Sequence, residues 1–236
     1  MTDPTTDPHS SGRVALVLMA KWPTAGRVKT RLVADLSSQT AAEIYRLLLH
    51  HARYTYETLS VEFACLDLIL FFDPPETADA WSDWNQWRRI PQTAGDFGQR
   101  LEDAFQRLTA ERYAGCIFVG TDAPELSRND VAWAVQEIYQ SCYAMIPAMD
   151  GGYVLLGIPA GKVSLFQGIA WGTSRVARQT RIAALRHGMV ISELPALHDI
   201  DRYDDLIALI HRLNLLADTN ALGTLGRRLA ELATRK

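Results

Sequence analysis

The sequence predicts a single three-layer α/β domain around a mixed, mostly parallel sheet. Short apolar runs of strand length alternate along the chain with longer segments whose apolar residues recur at helical spacing. The first run, VALVLM at 14–19, is continuously apolar, which is typical of a parallel strand that is buried on both faces. A chain of 236 residues with 48% hydrophobic residues is long enough to bury one full core.

The remaining elements continue this alternation. Further strands are predicted at 68–72, 116–119, 143–147, 153–158 and 190–194. Helices are predicted after the cap candidates Thr40 and Ser127, and at 97–111, 174–187, 206–213 and 222–233. Each of the two cap candidates is followed three residues later by an acidic residue, the spacing of a capping box. Residues 1–12, rich in Thr, Ser, Pro and Asp, predict a disordered leader before a domain at 13–236.

Charge, cysteine content and hydropathy restrict the class of protein. The net charge of -3 argues against a protein that binds nucleic acid non-specifically. Cys65, Cys116 and Cys142 are odd in number and form no C-x-x-C pair, so we expect a reducing compartment and no zinc site. No apolar run approaches the roughly 20 residues that span a bilayer, and the first run lacks a signal-peptide cleavage pattern. We therefore expect a cytoplasmic protein.

The loop after the first strand is strongly basic. The stretch KWPTAGRVKTRL at 21–32 begins with Lys21 and carries four cations within eleven residues. Gly26 gives the backbone freedom to approach a ligand closely, and Lys29 and Arg31 can both reach phosphate oxygens. The stretch matches neither a P-loop nor a G-x-G-x-x-G pattern. We predict a phosphate site that includes Lys21, Gly26, Lys29 and Arg31. The alternative is a solvated basic loop.

A second anion contact is predicted farther along the chain. Gly95 and Gly98 precede Arg100 at the start of the helix predicted at 97–111. The N-terminus of a helix favours negative charge, because its first backbone N–H groups lack partners within the helix. Arg100 is therefore a further candidate for binding phosphate.

Carboxylates follow two later strands. Asp122 lies in the turn GTDAP after the strand at 116–119, and Asp199 and Asp201 form a D-x-D pattern. Ligands of open α/β sheets bind beyond the carboxyl ends of the strands, and Mg²⁺ commonly takes one or two carboxylates together with substrate phosphates. These three residues are candidate ligands of one Mg²⁺ or Mn²⁺ ion. Alternatively, Asp122 caps the following helix, and Asp201, together with Asp204 and Asp205, favours the start of the last long helix.

The turn DGGY at 150–153 joins two predicted strands. A D-G pair is typical of a hairpin turn, and such a turn can also carry a functional group. Asp150 is a candidate acceptor-side group or general base. Gly151, Gly152, Tyr153 and Trp171 are candidates for an acceptor or sugar pocket, although single aromatic residues more often belong to a core.

Four segments occur in an order that resembles a known family. They read K-x-P-x-x-G-x-V-K-T-R-L at 21–32, G-x-D-x-P-x-L at 120–126, D-G-G-Y at 150–153 and D-x-D at 199–201. Over residues 14–206 the chain resembles small bacterial proteins regarded as glycosyltransferases, of the nucleotide-diphospho-sugar transferase superfamily with its Rossmann-like, GT-A type of fold. The same fold includes the molybdenum-cofactor guanylyltransferases and the 2-phospholactate guanylyltransferases.

The resemblance implies a metal-dependent glycosyltransferase that uses a nucleotide-diphospho-sugar donor and a small-molecule acceptor. Lys29, Asp122 and Asp150 would be its catalytic residues, with Lys29 and the metal ion neutralising charge on the phosphates. Metal-dependent GT-A glycosyltransferases generally carry a D-x-D pattern where this chain has only Asp122, which looks more like a nucleotidyltransferase. A guanylyltransferase-like enzyme that releases pyrophosphate from a nucleoside triphosphate is the alternative. A catalytically idle nucleotide-binding protein is a third hypothesis.

Overall fold

The computed structural model of the protein describes residues 12–74, 76, 78–215 and 221–234. Its strands are Val14–Ala20 (β1), Leu66–Phe72 (β2), Arg88–Pro91 (β3), Gly115–Val119 (β4), Tyr143–Pro147 (β5), Tyr153–Pro159 (β6) and Ile191–Glu193 (β7). Its α-helices are Ser38–Glu62 (α1), Phe97–Ala110 (α2), Arg128–Tyr139 (α3), Val176–Arg186 (α4), Tyr203–Asn214 (α5) and Ala221–Ala233 (α6). The leader predicted at 1–12 lies outside the described residues, except for its last position.

Within the described ranges, seven strands form one sheet in the order β3-β2-β1-β4-β6-β5-β7. Strand β6 runs antiparallel to its neighbours β4 and β5, and the other neighbouring strands pair in parallel. The carboxyl ends of the parallel strands therefore share one edge of the sheet with the start of β6. The predicted mixed, mostly parallel sheet is confirmed.

Helices pack on both faces of the sheet, which gives the predicted three layers. On β1, Leu16 belongs to the cluster with α1 and α3, whereas its neighbour Val17 belongs to the cluster with α2 and α4. A third cluster joins α1 to α5 and α6 around Leu48 and Leu209. Because β1 is covered on both faces, its sequence is continuously apolar rather than alternating. Across the described ranges, no helix is both long and apolar enough to cross a membrane.

The cap of α1 differs from the prediction. The helix follows Ser37, whose hydroxyl accepts a hydrogen bond from the backbone N–H of Thr40 at 3.0 Å. Thr40 therefore lies in the first turn, and its predicted role as the cap is wrong. Ser37 caps the helix because an N-cap oxygen pairs with an N–H group three residues later. At α3, Ser127 forms the predicted capping box with Asp130.

Strand β3 was not predicted. It has four residues, RRIP, of which only Ile90 is buried, and it lies at the edge of the sheet. A short edge strand that carries charges and a proline has almost no apolar pattern. Its place beside β2 is set by parallel pairing with Ile69 through Phe72, which a local sequence pattern cannot reveal.

Candidate active site

A cleft of about 710 Å³ opens at the carboxyl edge of the sheet, beyond β1, β4 and the start of β6. Its size and position are those expected for a small-ligand site in an open α/β fold. The predicted site residues that line it are Lys21, Lys29, Arg31, Asp122, Asp150, Gly152, Tyr153, Trp171, Asp199 and Asp201. The other three, Gly26, Arg100 and Gly151, lie outside its lining.

The basic loop after β1 is anchored to the core. Val28 is 5% exposed, and Leu32 is fully buried among residues of α1, α5 and α6. Leu32 lies in a short 3-10 helix, Thr30–Ala34, whereas Arg27 and Arg31 are exposed. Val28 and Leu32 thus anchor the loop on either side of Lys29, so the backbone that carries Lys29 and Arg31 is fixed.

Lys29 is the most constrained cation of this loop. Its backbone has a left-handed φ of 47°, which is uncommon for a residue other than glycine. Its side chain is 5% exposed, and its Nζ lies 2.8 Å from the Asp122 carboxylate and also donates to the carbonyl of Ile200. A buried ammonium group needs such partners. Lys29 therefore connects the basic loop, the turn after β4 and the segment before α5.

Arg31 makes a second connection between the same regions. Its guanidinium forms an ion pair with the Asp201 carboxylate, and both side chains are partly exposed. The backbone N–H of Ile200 donates to the carbonyl of Asp122 at 2.9 Å, which holds the two acidic segments side by side. Each acidic segment is therefore paired with one cation of the basic loop.

The helices that follow these carboxylates are capped by other residues. Ser127 caps α3, and Asp205 accepts hydrogen bonds from the backbone N–H groups of Asp201 and Arg202 at 3.1 and 2.7 Å at the start of α5. The side chains of Asp122 and Asp201 line the cleft instead. Helix capping thus does not explain these two carboxylates.

Four carboxylates line the cleft: Asp122, Asp150, Asp199 and Asp201. Burial raises the pKa of Asp199 to about 6, and the other three carboxylates act in the same direction, Asp150 most strongly. Among the residues that the structure describes, no three acidic, histidine or cysteine side chains lie close enough together to hold a metal ion. Asp122 and Asp201 are instead paired with cations of the basic loop.

Aromatic side chains form another wall of the cleft. Trp171 packs edge-on against Phe97 and Tyr153, with ring centroids 5.1 and 6.1 Å apart. The Tyr153 hydroxyl is buried and has no hydrogen-bond partner within the described part of the chain. Burial raises the pKa of Tyr153, so the phenol stays neutral. Trp171 and Tyr153 both pack against other rings and line the cleft.

The three glycines of the predicted site are required for different structural reasons. Gly151 has a φ of 94°, and a Cβ there would lie 2.2 Å from the carbonyl oxygen of Ser174. Gly152 donates its N–H to the carboxylate of Asp150 at 2.7 Å, which shapes the DGGY turn. Gly26 has a φ of 76° with nothing within 4 Å of an added Cβ, so the backbone turn itself requires glycine there.

Arg100 belongs to a cluster beside the cleft, at the ends of β2 and β3. It donates to the Asp73 carboxylate at 2.6 Å and to the side-chain oxygen of Gln92 at 3.0 Å. Arg27 approaches the other oxygen of Asp73 at 3.4 Å. Asp73 and Gln92 are 9% and 8% exposed. We call these four residues the strand-end cluster.

Several residues of this region were missed from the sequence. Asp73 directly follows β2 and precedes a proline, so its position at a strand end was a usable signal. Phe97 begins α2 and is 46% exposed, which is unusual for a large aromatic residue. Tyr45 lines the cleft from α1, and its hydroxyl accepts a hydrogen bond from the backbone N–H of Lys21 at 3.2 Å. It carries no local signal, because it resembles any core position of a helix.

Comparison with known families gives one match. Residues 58–173 match the model of a family described as an uncharacterized protein conserved in bacteria (DUF2064). This segment runs from α1 to the loop that holds Trp171, so it includes the turn with Asp122 and the DGGY turn. No curated protein sequence matches the chain.

Solved structures similar to this chain include a provisionally named nucleotide-diphospho-sugar transferase from Desulfovibrio desulfuricans G20. It superposes with a TM-score of 0.83 at 25% identity, over 94% of this chain and 97% of that chain. A CMP:2-keto-3-deoxy-manno-octonic acid synthetase complexed with CTP has a TM-score of 0.53 at 10% identity, over 85% and 99% of the two chains. A cytidylyltransferase from Leptospira borgpetersenii has a TM-score of 0.51 at 12% identity, over 95% of this chain and 98% of that chain.

These likenesses bear on fold and on enzyme class. The second and third structures show the fold alone. All three confirm the Rossmann-like fold, and the first confirms the resemblance to nucleotide-diphospho-sugar transferases seen in the four segments. The first also supports the prediction that the protein is an enzyme of the transferase class.

Proposed function

We propose that the protein is a cytoplasmic, metal-dependent glycosyltransferase that uses a nucleotide-diphospho-sugar donor. One observation carries this proposal: basic, acidic and aromatic side chains from four distant segments line one cleft at the carboxyl edge of the sheet. The similarity to the Desulfovibrio protein, which extends over 94% of this chain, supports the same conclusion.

The cations would bind the diphosphate of the donor. When the bond from the sugar to the β-phosphate breaks, negative charge develops on the leaving nucleoside diphosphate. Lys29 and Arg31 line the same cleft and can stabilise that charge through charge-assisted hydrogen bonds. Their backbone is fixed by Val28 and Leu32, so little reorganisation would be needed at the moment of reaction.

The carboxylates of the cleft suit a hard divalent cation. Asp122, Asp199 and Asp201 offer carboxylate oxygens for Mg²⁺ or Mn²⁺, and phosphate oxygens of the substrate would complete the site. Because these side chains do not already lie close enough together to hold an ion, they would have to move toward it on binding, and their mutual repulsion would fall in its presence. When bound, such an ion would neutralise charge on the phosphates. The ion pairs of Asp122 and Asp201 would have to open first.

The far side of the cleft would receive the sugar and the acceptor. Tyr153 and Trp171 offer aromatic surface there, and Gly151 and Gly152 shape the turn that carries Asp150. The Asp150 carboxylate accepts a hydrogen bond from Gly152 with one oxygen, Oδ1. Its other oxygen can accept the proton of an attacking hydroxyl, which is the role of a general base.

Nucleotidyl transfer is the second candidate, and a specific observation favours it. The turn after β4 carries a single carboxylate, that of Asp122, and two further cations, Lys21 and Arg27, line the cleft. A triphosphate needs additional positive charge of this kind. In this reaction the acceptor attacks the α-phosphorus and pyrophosphate leaves. An idle protein that retained only the fold is disfavoured, because nothing in that hypothesis requires Lys29 and the carboxylates to share one cleft.

A ligand screen separates these candidates. Nucleotide-sugars and nucleoside triphosphates are each added with Mg²⁺, and the thermal midpoint is followed; a ligand at about 100 times its dissociation constant stabilises by roughly 2.7 kcal/mol. Ligands that stabilise the protein are then assayed for release of nucleoside diphosphate or pyrophosphate. We expect a nucleotide-sugar to bind and a nucleoside diphosphate to be released. Pyrophosphate release without turnover of any sugar donor would establish nucleotidyl transfer, and no shift with any nucleotide would support the idle protein.

A further inference from the structure

The cations and carboxylates of the cleft are already paired with each other. Lys29 contacts Asp122, and Arg31 contacts Asp201. The two carboxylates are candidate metal ligands, and the two cations are candidate phosphate ligands. The groups that would bind the metal ion and the donor therefore satisfy one another in the structure.

We propose that these ion pairs exchange partners when the ligands bind: Asp122 and Asp201 trade their loop cations for a divalent ion, while Lys29 and Arg31 trade carboxylates for phosphate oxygens. This inference rests on the proposed function, because it assumes that the cleft binds a metal ion and a diphosphate. The new claim is that binding of the metal ion and binding of the diphosphate strengthen each other. This coupling would come from the ion pairs of the protein as well as from the attraction between the two ligands.

Burial makes the Lys29 pair the more important of the two. The Lys29 side chain is 5% exposed, so its ammonium cannot be left without a partner at little cost. Arg31 and Asp201 are 51% and 34% exposed, and such surface pairs contribute little. A metal ion alone would take Asp122 away from a buried ammonium. A diphosphate alone would take Lys29 away from Asp122 and meet the negative charge of that carboxylate.

Both costs disappear when the two ligands arrive together. Asp122 then faces the metal ion, and Lys29 keeps the carbonyl of Ile200 and gains a phosphate oxygen. No charge is left without a partner. Coupling between two sites in proteins is typically about 5- to 150-fold in affinity and is reciprocal, so each ligand should strengthen the other by the same factor.

The test measures each ligand alone and both together by calorimetry. The probes are Mn²⁺ and inorganic pyrophosphate, since a diphosphate without a base avoids the choice of nucleotide. Lys29→Met removes the ammonium from Asp122, and we expect Mn²⁺ alone to bind at least about fivefold more tightly than to the wild type. Asp122→Asn removes the carboxylate from Lys29, and we expect pyrophosphate in a chelator to bind more tightly by a similar factor.

Each variant has a control that changes the same charge in the same cleft. Lys21→Met and Asp150→Asn remove one positive and one negative charge, and neither side chain forms an ion pair within the described residues. They report the long-range effect of charge alone. The gain in Mn²⁺ affinity from Lys29→Met must exceed that from Lys21→Met several-fold, and the gain in pyrophosphate affinity from Asp122→Asn must exceed that from Asp150→Asn by as much. Arg31→Met should raise Mn²⁺ affinity less than Lys29→Met does.

The outcomes separate this inference from the proposed function. If wild-type protein fails to bind pyrophosphate even with Mn²⁺, the proposed function is wrong. If both ligands bind together but the two variants gain no more than their controls, the exchange of partners is wrong and the proposed function stands. If Lys29→Met is unfolded, Asp122→Asn decides the question, because its carboxylate is 47% exposed and the amide preserves its shape.

Discussion

Two clusters of ion-paired side chains lie at the carboxyl edge of the sheet, and their carboxylates differ in exposure and in the number of cations that contact them. In the strand-end cluster, Asp73 has a side chain that is 11% exposed and is approached by two guanidinium groups. In the cleft, Asp122 is 47% exposed and is paired with one ammonium group. The same residue types therefore serve two purposes. A carboxylate that is enclosed by its partners holds the fold together, whereas one that faces a cleft can exchange its partner for a ligand.

The largest expected effect is on catalysis. Replacing Asp122 with Asn should lower the turnover of the donor by about 100-fold or more, which is the usual loss when one group that stabilises transition-state charge is removed. Its thermal midpoint should fall only modestly, because the buried Lys29 ammonium loses a carboxylate but keeps the carbonyl of Ile200 and can donate to the new amide oxygen. Steady-state kinetics and a melting curve check both expectations. Full activity of this variant would place the chemistry elsewhere.

The phosphate ligands should show a smaller effect on binding. Charge-assisted hydrogen bonds contribute about 1.5 to 3 kcal/mol, so Lys29→Ala or Arg31→Ala should weaken nucleotide binding about tenfold or more with Mg²⁺ present. Lys29→Ala should have the greater effect, because its ammonium is nearly enclosed and Arg31 is half exposed. Calorimetry measures both affinities. Unchanged affinity in both variants would leave only a basic loop without a phosphate role.

The strand-end cluster should respond in the opposite way. Asp73→Asn weakens the contacts to Arg100 and Arg27 in a site that is nearly closed to solvent, and should lower the free energy of unfolding by about 1–3 kcal/mol. Nucleotide affinity should change by less than about threefold, well under the tenfold step of about 1.4 kcal/mol. Urea unfolding and calorimetry measure the two effects. A large loss of affinity in a stable variant would show that Asp73 itself belongs to the ligand site, as its partner Arg27 in the cleft lining does.

The smallest effect concerns pH. The pKa of Asp199 is raised from an ordinary value of 3.8 to about 6, so ionisation of this carboxylate disfavours the folded state. The penalty is absent below pH 4, grows between pH 4 and 6 and is complete above that. In a chelator, Asp199→Asn should therefore gain stability relative to the wild type as the pH rises, by about 1 kcal/mol or less because the group is half-buried. Urea unfolding of both proteins at pH 4.5 and 7.5 tests the direction of this change. An equal gain in the free energy of unfolding at the two pH values would contradict it.

The sequence was sufficient for several features that a local pattern determines, although the local pattern at Thr40 placed the cap of α1 three residues too late. The apolar run of β1 and the capping box at Ser127 were predicted from neighbouring residues. The gathering of Lys29, Asp122 and Asp201 at one edge follows from the rule that parallel strands share their carboxyl ends. This is a rule of topology, so it needs only the order of the elements.

Partners of side chains could not be predicted in this way. Arg31 pairs with Asp201 across 170 positions, and Arg100 turned out to bind Asp73 across 27. Nothing local distinguishes these two arginines. Their roles depend on which carboxylate the folded sheet places nearby and on how much water reaches it. Strand β3 was missed for a related reason, since its pairing with β2 compensates for a weak apolar pattern.

The contrast between Asp122 and Asp73 is tested most directly by ligand-induced stabilisation. Wild type, Asp122→Asn and Asp73→Asn are melted with and without Mg²⁺ and the nucleotide-sugar that gives the largest shift. We expect the ligand to raise the midpoint of the wild type and of Asp73→Asn by the same amount, although the latter starts lower, and to raise that of Asp122→Asn far less. A full shift in Asp122→Asn together with a lost shift in Asp73→Asn would contradict the roles given to these two carboxylates.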